Sequence, residues 1–135
     1  MPLEVGQAVF VKLPFADGGT PEYKRPFLII DIDHNHIYAL NVSSSEGKLN
    51  QLTNHSSVFI NYHDPPFPKP SFVKVDAIYI VEINRKLKQQ IMFNGKKLRE
   101  GELKRIIDRY NSYKEENEFN HKRKEIDKRE FYKYN

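Results

Sequence analysis

Short runs of β-forming residues, separated by turn signals, fill residues 1–83 of this chain. Each run is rich in branched and aromatic residues and is bounded by Gly, Pro, Asn, Asp or Ser, as strands are. The runs predict strands at residues 7–14, 25–32, 36–43, 56–63 and 72–83, with Asp76 as a possible interruption of the last. A sheet of many short strands removes its exposed edges by curling into a closed or nearly closed barrel.

Two segments rich in proline or glycine are predicted to be loops between these strands. Residues 16–23 contain two glycines and a proline, and the segment is too long for a tight hairpin turn. Residues 64–71 contain four prolines, which lack the amide hydrogen that an interior strand or helix needs. We therefore expect a flexible loop at 16–23 and an ordered loop at 64–71.

The hydrophobic period changes after residue 83. Residues 86–93 are predicted to form one further strand, followed by an Asn-Gly turn at 94–95. Residues 102–113 are predicted to be helical, because their apolar side chains are spaced i, i+3, i+4 and i+7. Residues 114–135 are densely charged, and they are interpreted either as a second helix or as a segment that is disordered until a partner binds.

Together these elements predict a mainly β fold with α. The expected architecture is a small, SH3-like, partly open antiparallel β-barrel followed by a C-terminal helix or helices. Residues 1–113 would form the barrel with its packing helix, and residues 114–135 a charged helical or flexible extension. A chain of 135 residues is long enough to bury one core.

Charge is distributed unevenly along the chain, whose formal net charge is +4. Residues 1–83 carry 6 Lys/Arg and 9 Asp/Glu, residues 84–113 carry 9 and 3, and residues 114–135 carry 7 and 6. The basic middle segment is interpreted either as a phosphate-binding surface or as a solvated helix face. The absence of cysteine excludes disulfides and thiolate metal sites. Without a recognisable signal peptide or membrane span, we expect a cytoplasmic protein with no membrane contact.

A series of weak motifs follows one order along residues 5–113. It comprises Gly6 before a strand that ends near Pro14, the polar loop 16–23, the pair Arg25-Pro26, the hydroxyl pair Ser43-Ser44, the segment Ser71–Asp76 and the leucine-containing segment Leu98–Tyr110. This order resembles that of the MazF/PemK family of toxin endoribonucleases. The chain departs from the family at Ser43, where threonine is frequent, and at Lys74, where some members have arginine.

The resemblance implies the toxin of a toxin–antitoxin pair, acting as a homodimer. Such a toxin cleaves single-stranded RNA with a sequence preference and without a metal or other cofactor, leaving 2′,3′-cyclic phosphate and 5′-hydroxyl ends. A cognate antitoxin protein would inhibit it by placing a disordered segment in the RNA site. The alternative is a non-catalytic barrel of the same fold that binds RNA or protein. The acidic balance of residues 1–83 favours this alternative, because a negative surface repels RNA.

Arg25 is the central catalytic candidate under this resemblance. Its planar guanidinium can hold two phosphate oxygens and stabilise charge that builds on them. The alternative is a surface arginine paired with Asp17 or Glu22. Ser43 is a second candidate, which can donate to a phosphate oxygen or instead bond its own backbone in a turn.

Lys74 and Asp76 are the other two catalytic candidates. They lie two residues apart, so a regular strand places them on one face. They are interpreted either as an acid–base pair or as a surface ion pair of little energetic value. Residues that can contact RNA through stacking or phosphate binding are Tyr23, Lys24, Ser44 and Lys48.

Two other patterns are judged structural. Asp31, Asp33, His34 and His36 resemble a metal-binding cluster, but a strand, a turn and a second strand explain the same residues, so no metal site is predicted. Gly18 and Gly19 lack the following Lys-Ser/Thr of a phosphate-binding loop.

Overall fold

The computed structural model describes residues 2–44 and 56–135. The strands are β1 Ala8–Val11, β2 Arg25–Ile32, β3 His36–Ser44, β4 Ser57–Phe59, β5 Ser71–Lys74, β6 Ala77–Glu82 and β7 Lys122–Ile126. The helices are α1 Arg85–Lys88, α2 Glu100–Glu116 and α3 Lys128–Tyr134, with a 3₁₀ turn at Phe93–Gly95. The predicted class, mainly β followed by C-terminal helices, is confirmed.

Strand β3 organises the sheet. One of its edges pairs antiparallel with β2, and β1 lies beyond β2. The other edge is divided, because His36–Ala39 pair with β6 whereas Val42–Ser44 pair with β5. β7 lies beyond β6 and β4 beyond β5, which makes seven strands. Among the described strands β1 and β4 do not pair, so the prediction of a partly open barrel is confirmed.

The chain is irregular between β5 and β6, at Asp76. Val42 of β3 pairs with Val73, and Ala39 of β3 pairs with Tyr79. The two residues of β3 between these pairs therefore lie opposite the five residues 74–78. The surplus residues must bulge out of the ladder, and bulges of this kind turn side chains away from their regular direction. The expected interruption of the long β run at Asp76 is therefore present.

The sheet is buried on both faces, which explains the continuous apolar runs of β2 and β3. One face packs against α2 and the other against α1 and α3. The first core contains Leu28, Leu40, Val42, Val73, Ile80, Ile106 and Tyr110. The second core contains Phe27, Ile29, Ile37, Val81, Leu87, Ile126 and Phe131. The predicted helix at 102–113 is confirmed as the central part of α2.

The prediction of a strand over residues 86–93 is wrong. Asn84 begins α1 instead, because its side-chain oxygen accepts the amide hydrogen of Leu87 at 2.8 Å. Only a single bridge to Val9, made by Ile91, keeps an extended contact with the sheet. Phe93 and Asn94 have φ angles of 49° and 54°, and this left-handed backbone ends any extended run.

The interpretation of residues 114–135 as a helix or a disordered segment requires a correction. After α2 ends, β7 pairs parallel with β6, and only then does the short helix α3 follow. Ile126 and Phe131 are 1% and 0% exposed, so both anchor this segment in the second core. Within residues 2–44 and 56–135, no helix combines the length and the apolarity that crossing a bilayer requires.

Candidate functional site

A polar cavity of about 100 Å³ lies where β2 begins and where β5 gives way to β6. Three of the four predicted catalytic side chains line it together, namely Arg25, Lys74 and Asp76. The other lining residues are Phe15, Ala16, Asp17, Asn41, Ala77, Tyr79 and Lys122. Since liquid water occupies about 30 Å³ per molecule, the cavity has room for a group the size of a phosphate.

Arg25 also lines a second, larger depression of about 440 Å³, which we call the apolar groove. The groove includes the remaining described site candidates, which are Tyr23, Lys24, Ser43 and Ser44. Phe10, Phe67, Met92 and Phe93 are among the apolar residues that line it. The predicted candidates therefore separate into two adjoining depressions with Arg25 common to both. Lys48 lies outside the described residues.

Two aromatic rings hold the guanidinium of Arg25. Its central carbon lies 4.7 Å from the ring centre of Phe15 and 4.7 Å from that of Tyr23. Its Nη2 atom donates to the Tyr23 hydroxyl at 3.0 Å. Arg25 forms an ion pair with neither Asp17 nor Glu22, and Asp17 instead accepts the amide hydrogen of Gly19 at 3.0 Å. The ion-paired alternative for Arg25 is therefore not the observed arrangement.

Lys74 and Asp76 line the same cavity without forming an ion pair with each other. Lys74 is the last residue of β5, and Asp76 lies in the bulge that follows it. Both are half-buried. The carbonyl oxygen of Asp76 accepts the amide hydrogen of Lys122 at 2.9 Å, which fixes the backbone at the carboxylate.

Tyr79 forms a rigid wall of the cavity. Its hydroxyl oxygen accepts the amide hydrogen of Ala16 at 3.3 Å, and its ring packs edge-on against Phe27 at 5.1 Å. Burial raises the pKa of the Tyr79 phenol, so the group remains protonated and can donate its own hydrogen. The loop that follows β1 is therefore tied to β6 at the cavity.

Ser43 connects the groove with the cavity. Its hydroxyl donates to the side-chain oxygen of Asn41 at 3.4 Å, and Asn41 is a buried residue of the cavity wall. Ser43 itself lines only the groove. It is therefore separate from Lys74 and Asp76, although all three are predicted from the sequence as catalytic residues.

Four polar or aromatic residues of the cavity wall were not among the candidates predicted from the sequence, namely Phe15, Asn41, Tyr79 and Lys122. The first three carry no local signal of function, because each also fits a loop or a buried strand. Lys122 was not a candidate, because its segment was expected to be helical or disordered and therefore remote from the barrel. Only the parallel pairing of β7 with β6 brings it to the cavity.

The metal-like cluster is a turn. Oδ1 of Asp33 accepts the amide hydrogens of Asn35 at 2.8 Å and His36 at 2.7 Å, and Oδ2 accepts the Tyr38 hydroxyl at 2.7 Å. The Tyr38 hydrogen bond, followed by that of Asn35, lowers the pKa of Asp33 to about 2. In the part of the chain that the structure describes, no three His, Asp or Glu side chains are grouped so as to hold a metal ion.

Four of the nine cations of the basic segment 84–113 form ion pairs with carboxylates of the described residues. Its paired cations are Lys97 with Glu4, Arg99 with Asp64, Lys104 with Asp108 and Arg105 with Glu102. Arg105 also donates to the carbonyl oxygen of Phe59. These four cations therefore have structural partners, whereas Arg85, Lys86, Lys88, Lys96 and Arg109 form no ion pair within residues 2–44 and 56–135.

Comparison with known proteins adds no family to these observations. The sequence matches no family model and no curated protein.

Proposed function

We propose that this chain is a sequence-preferring endoribonuclease that cleaves single-stranded RNA at the polar cavity. The observation that supports the proposal most is the convergence of Arg25, Lys74 and Asp76 on one phosphate-sized space. These residues come from two regions that are far apart in the sequence. A guanidinium, an ammonium and a carboxylate at one small cavity are the groups that RNA transesterification requires.

The proposed reaction needs only these side chains. Asp76 accepts the proton of the ribose 2′-hydroxyl, and the 2′-oxygen forms a bond to phosphorus. Arg25 stabilises the charge on the non-bridging oxygens, using N–H donors that remain after its bond to Tyr23. The bond from phosphorus to the 5′-oxygen breaks, and Lys74 gives that oxygen a proton. The products are a 2′,3′-cyclic phosphate and a 5′-hydroxyl.

The apolar groove would hold the nucleotides beside the cleaved bond. Tyr23 and Phe93 line it and are 58% and 47% exposed, so bases can stack on them. Lys24 lines the same groove and its ammonium donates to Gln90 at 2.8 Å, which places a cation near the path of the RNA. Ser43 would donate to a phosphate oxygen there by turning its single hydroxyl hydrogen away from Asn41.

The biological role in the proposal comes from the resemblance to the MazF/PemK family. We propose a cytoplasmic toxin that acts as a homodimer on messenger RNA. A cognate antitoxin protein would inhibit it by occupying the groove. The proposed chemistry requires no cofactor.

Cleavage of a long RNA by the purified protein in EDTA tests this function. We expect internal cleavage whose products have 5′-hydroxyl ends, and a rate on the order of 100-fold lower for Arg25→Ala. Arg129→Ala is the matched control, because Arg129 is exposed on α3 and should retain the wild-type rate. The absence of cleavage by the wild type, or full cleavage by Arg25→Ala, contradicts the proposal.

A second candidate function is a non-catalytic barrel that binds RNA or protein. The size and apolar lining of the groove favour it, because a groove of this kind can bind a base or a peptide without chemistry. This function predicts binding without strand scission. Growth arrest on expression in bacteria that is lost with Arg25→Ala would contradict it.

A further inference from the structure

Lys122 of β7 brings a third cation to the polar cavity. Its amide hydrogen bonds to the carbonyl oxygen of Asp76 at 2.9 Å, and its Cα is the register partner of Ala77. The backbone of Lys122 is therefore fixed directly beside the proposed catalytic carboxylate. Lys122 lines the cavity together with Arg25 and Lys74.

This lysine decides the sign of the charge in the cavity. Without it, the cations Arg25 and Lys74 are balanced by the carboxylates Asp17 and Asp76. Lys122 therefore turns a neutral lining into one with a net charge of +1. An anionic substrate needs this excess, because residues 1–83 carry 6 Lys/Arg against 9 Asp/Glu.

The neighbouring cations of β7 have other partners, whereas Lys122 does not pair with any described carboxylate. Arg123 pairs with Glu125 at 3.4 Å, and Lys124 approaches Glu130 at 3.9 Å. Lys122 is exposed and forms no ion pair within residues 2–44 and 56–135. Its ammonium is therefore available to a ligand of the cavity.

We propose that Lys122 binds a phosphate of the RNA, which makes β7 part of the nucleic-acid site. This strand lies outside residues 5–113, to which the family resemblance is confined. The inference rests on the proposed function for the identity of the ligand. It concerns binding of the phosphate, and it does not require that the bond be cleaved.

Binding to a single-stranded 2′-O-methyl RNA oligonucleotide separates the two claims, since this probe has no 2′-hydroxyl and cannot be cleaved. Affinity is measured as a function of salt for the wild type, Lys122→Gln and Lys133→Gln. Lys133 is an exposed lysine of α3, so the control removes the same charge from the same part of the chain. Lys122→Arg keeps the charge and serves as the rescue variant.

We expect Lys122→Gln to weaken binding about fivefold at 0.1 M salt and to reduce the logarithmic salt slope by about 0.7, the value for one phosphate contact on a single strand. Lys122→Arg and Lys133→Gln should bind as the wild type does. Equal binding by Lys122→Gln and Lys133→Gln, or a wild type that does not bind the probe, overturns the inference. A wild type that binds this probe but leaves ordinary RNA intact contradicts the proposed nuclease alone.

Discussion

Arg25 donates a hydrogen bond from Nη2 to the hydroxyl of Tyr23 at 3.0 Å, and its guanidinium carbon lies 4.7 Å from the centre of the same ring. One aromatic side chain thus contacts the cation through both its hydroxyl and its ring. Cation–π contacts of this kind contribute roughly 0.5–1 kcal/mol at exposed sites. They orient the guanidinium before a substrate arrives and leave most of its five N–H donors unused.

The planar arrangement of N–H donors on the Arg25 guanidinium, and not only its charge, should matter for cleavage. We expect Arg25→Lys to lower the cleavage rate roughly tenfold or more, because an ammonium cannot hold two phosphate oxygens in one plane. The melting temperature should remain close to that of the wild type, since Arg25 is only half-buried. Single-turnover rates on a short RNA measure the effect. A wild-type rate for Arg25→Lys would show that charge alone suffices.

Asp76→Asn should separate chemistry from binding. Removing a general base lowers the rate by roughly 10²–10⁴-fold, whereas removing a negative charge from the cavity should not weaken RNA binding. The measurement combines the cleavage rate with the affinity for an uncleavable RNA. Asp108→Asn is the control, because Asp108 is an exposed carboxylate on α2. Equal loss of affinity and rate would assign Asp76 to structure or binding instead.

The segment after α2 should be integral to the stability of the fold. Phe131 is 0% exposed, so Phe131→Ala is expected to lower the free energy of unfolding by about 3–5 kcal/mol. Phe119 is 99% exposed, and Phe119→Ala should change the free energy of unfolding by less than about 0.5 kcal/mol. Denaturant unfolding of both variants gives the comparison. Similar values for the two would mean that α3 does not pack as described.

The turn at Asp33 should have its own pH dependence. Its pKa is about 2 in the folded state against an ordinary 3.8, so its carboxylate stabilises the fold above pH 3.8, and this is lost as the pH falls through 2. Tyr38→Phe removes the largest cause of the shift, and the pKa should rise towards 3.8. An NMR titration of the Asp33 carboxyl measures it, with Tyr62→Phe as the control. A pKa that stays near 2 in Tyr38→Phe would assign the shift to the backbone donors.

The strands with strong local patterns could be predicted from the sequence. β2 coincides with the largely apolar run at residues 25–32. β3 begins after the turn at residues 33–35, where Asp33 accepts two backbone amide hydrogens. Each of these elements is specified by residues close to it in the chain. The interruption of the strand run at Asp76 was also predictable, because a charged residue within a long apolar run is a local signal.

Elements that depend on distant contacts could not be predicted in this way. The sequence of β7 is Lys-Arg-Lys-Glu-Ile, which carries almost no apolar signal, and its strand conformation comes from hydrogen bonds to β6. Residues 86–93 have an apolar content suited to a strand, but the side chain of Asn84 caps a helical turn there. Pairing with β6 therefore determines the conformation of β7, and one capping hydrogen bond determines that of the segment after Asn84.

The candidate site was partly predictable for a related reason. Arg25, Lys74 and Asp76 were selected by motif order and chemistry, and the fold places them together. Ser43 was grouped with them, but it faces the groove instead. Lys122 could not be found, because its position depends on the pairing between β6 and β7.

The parallel pairing of β7 with β6 has a consequence for the order of events during synthesis. Its partner residues lie far apart in the sequence, so the chain must close a long loop through α2 before β7 can dock. On the ribosome, Arg25, Lys74 and Asp76 are therefore made well before Lys122. Until Lys122 is made, the chain lacks the cation that gives the cavity its net positive charge, so we expect little attraction for RNA. A nuclease assembled in this order would be least active while it is still attached to the message that encodes it.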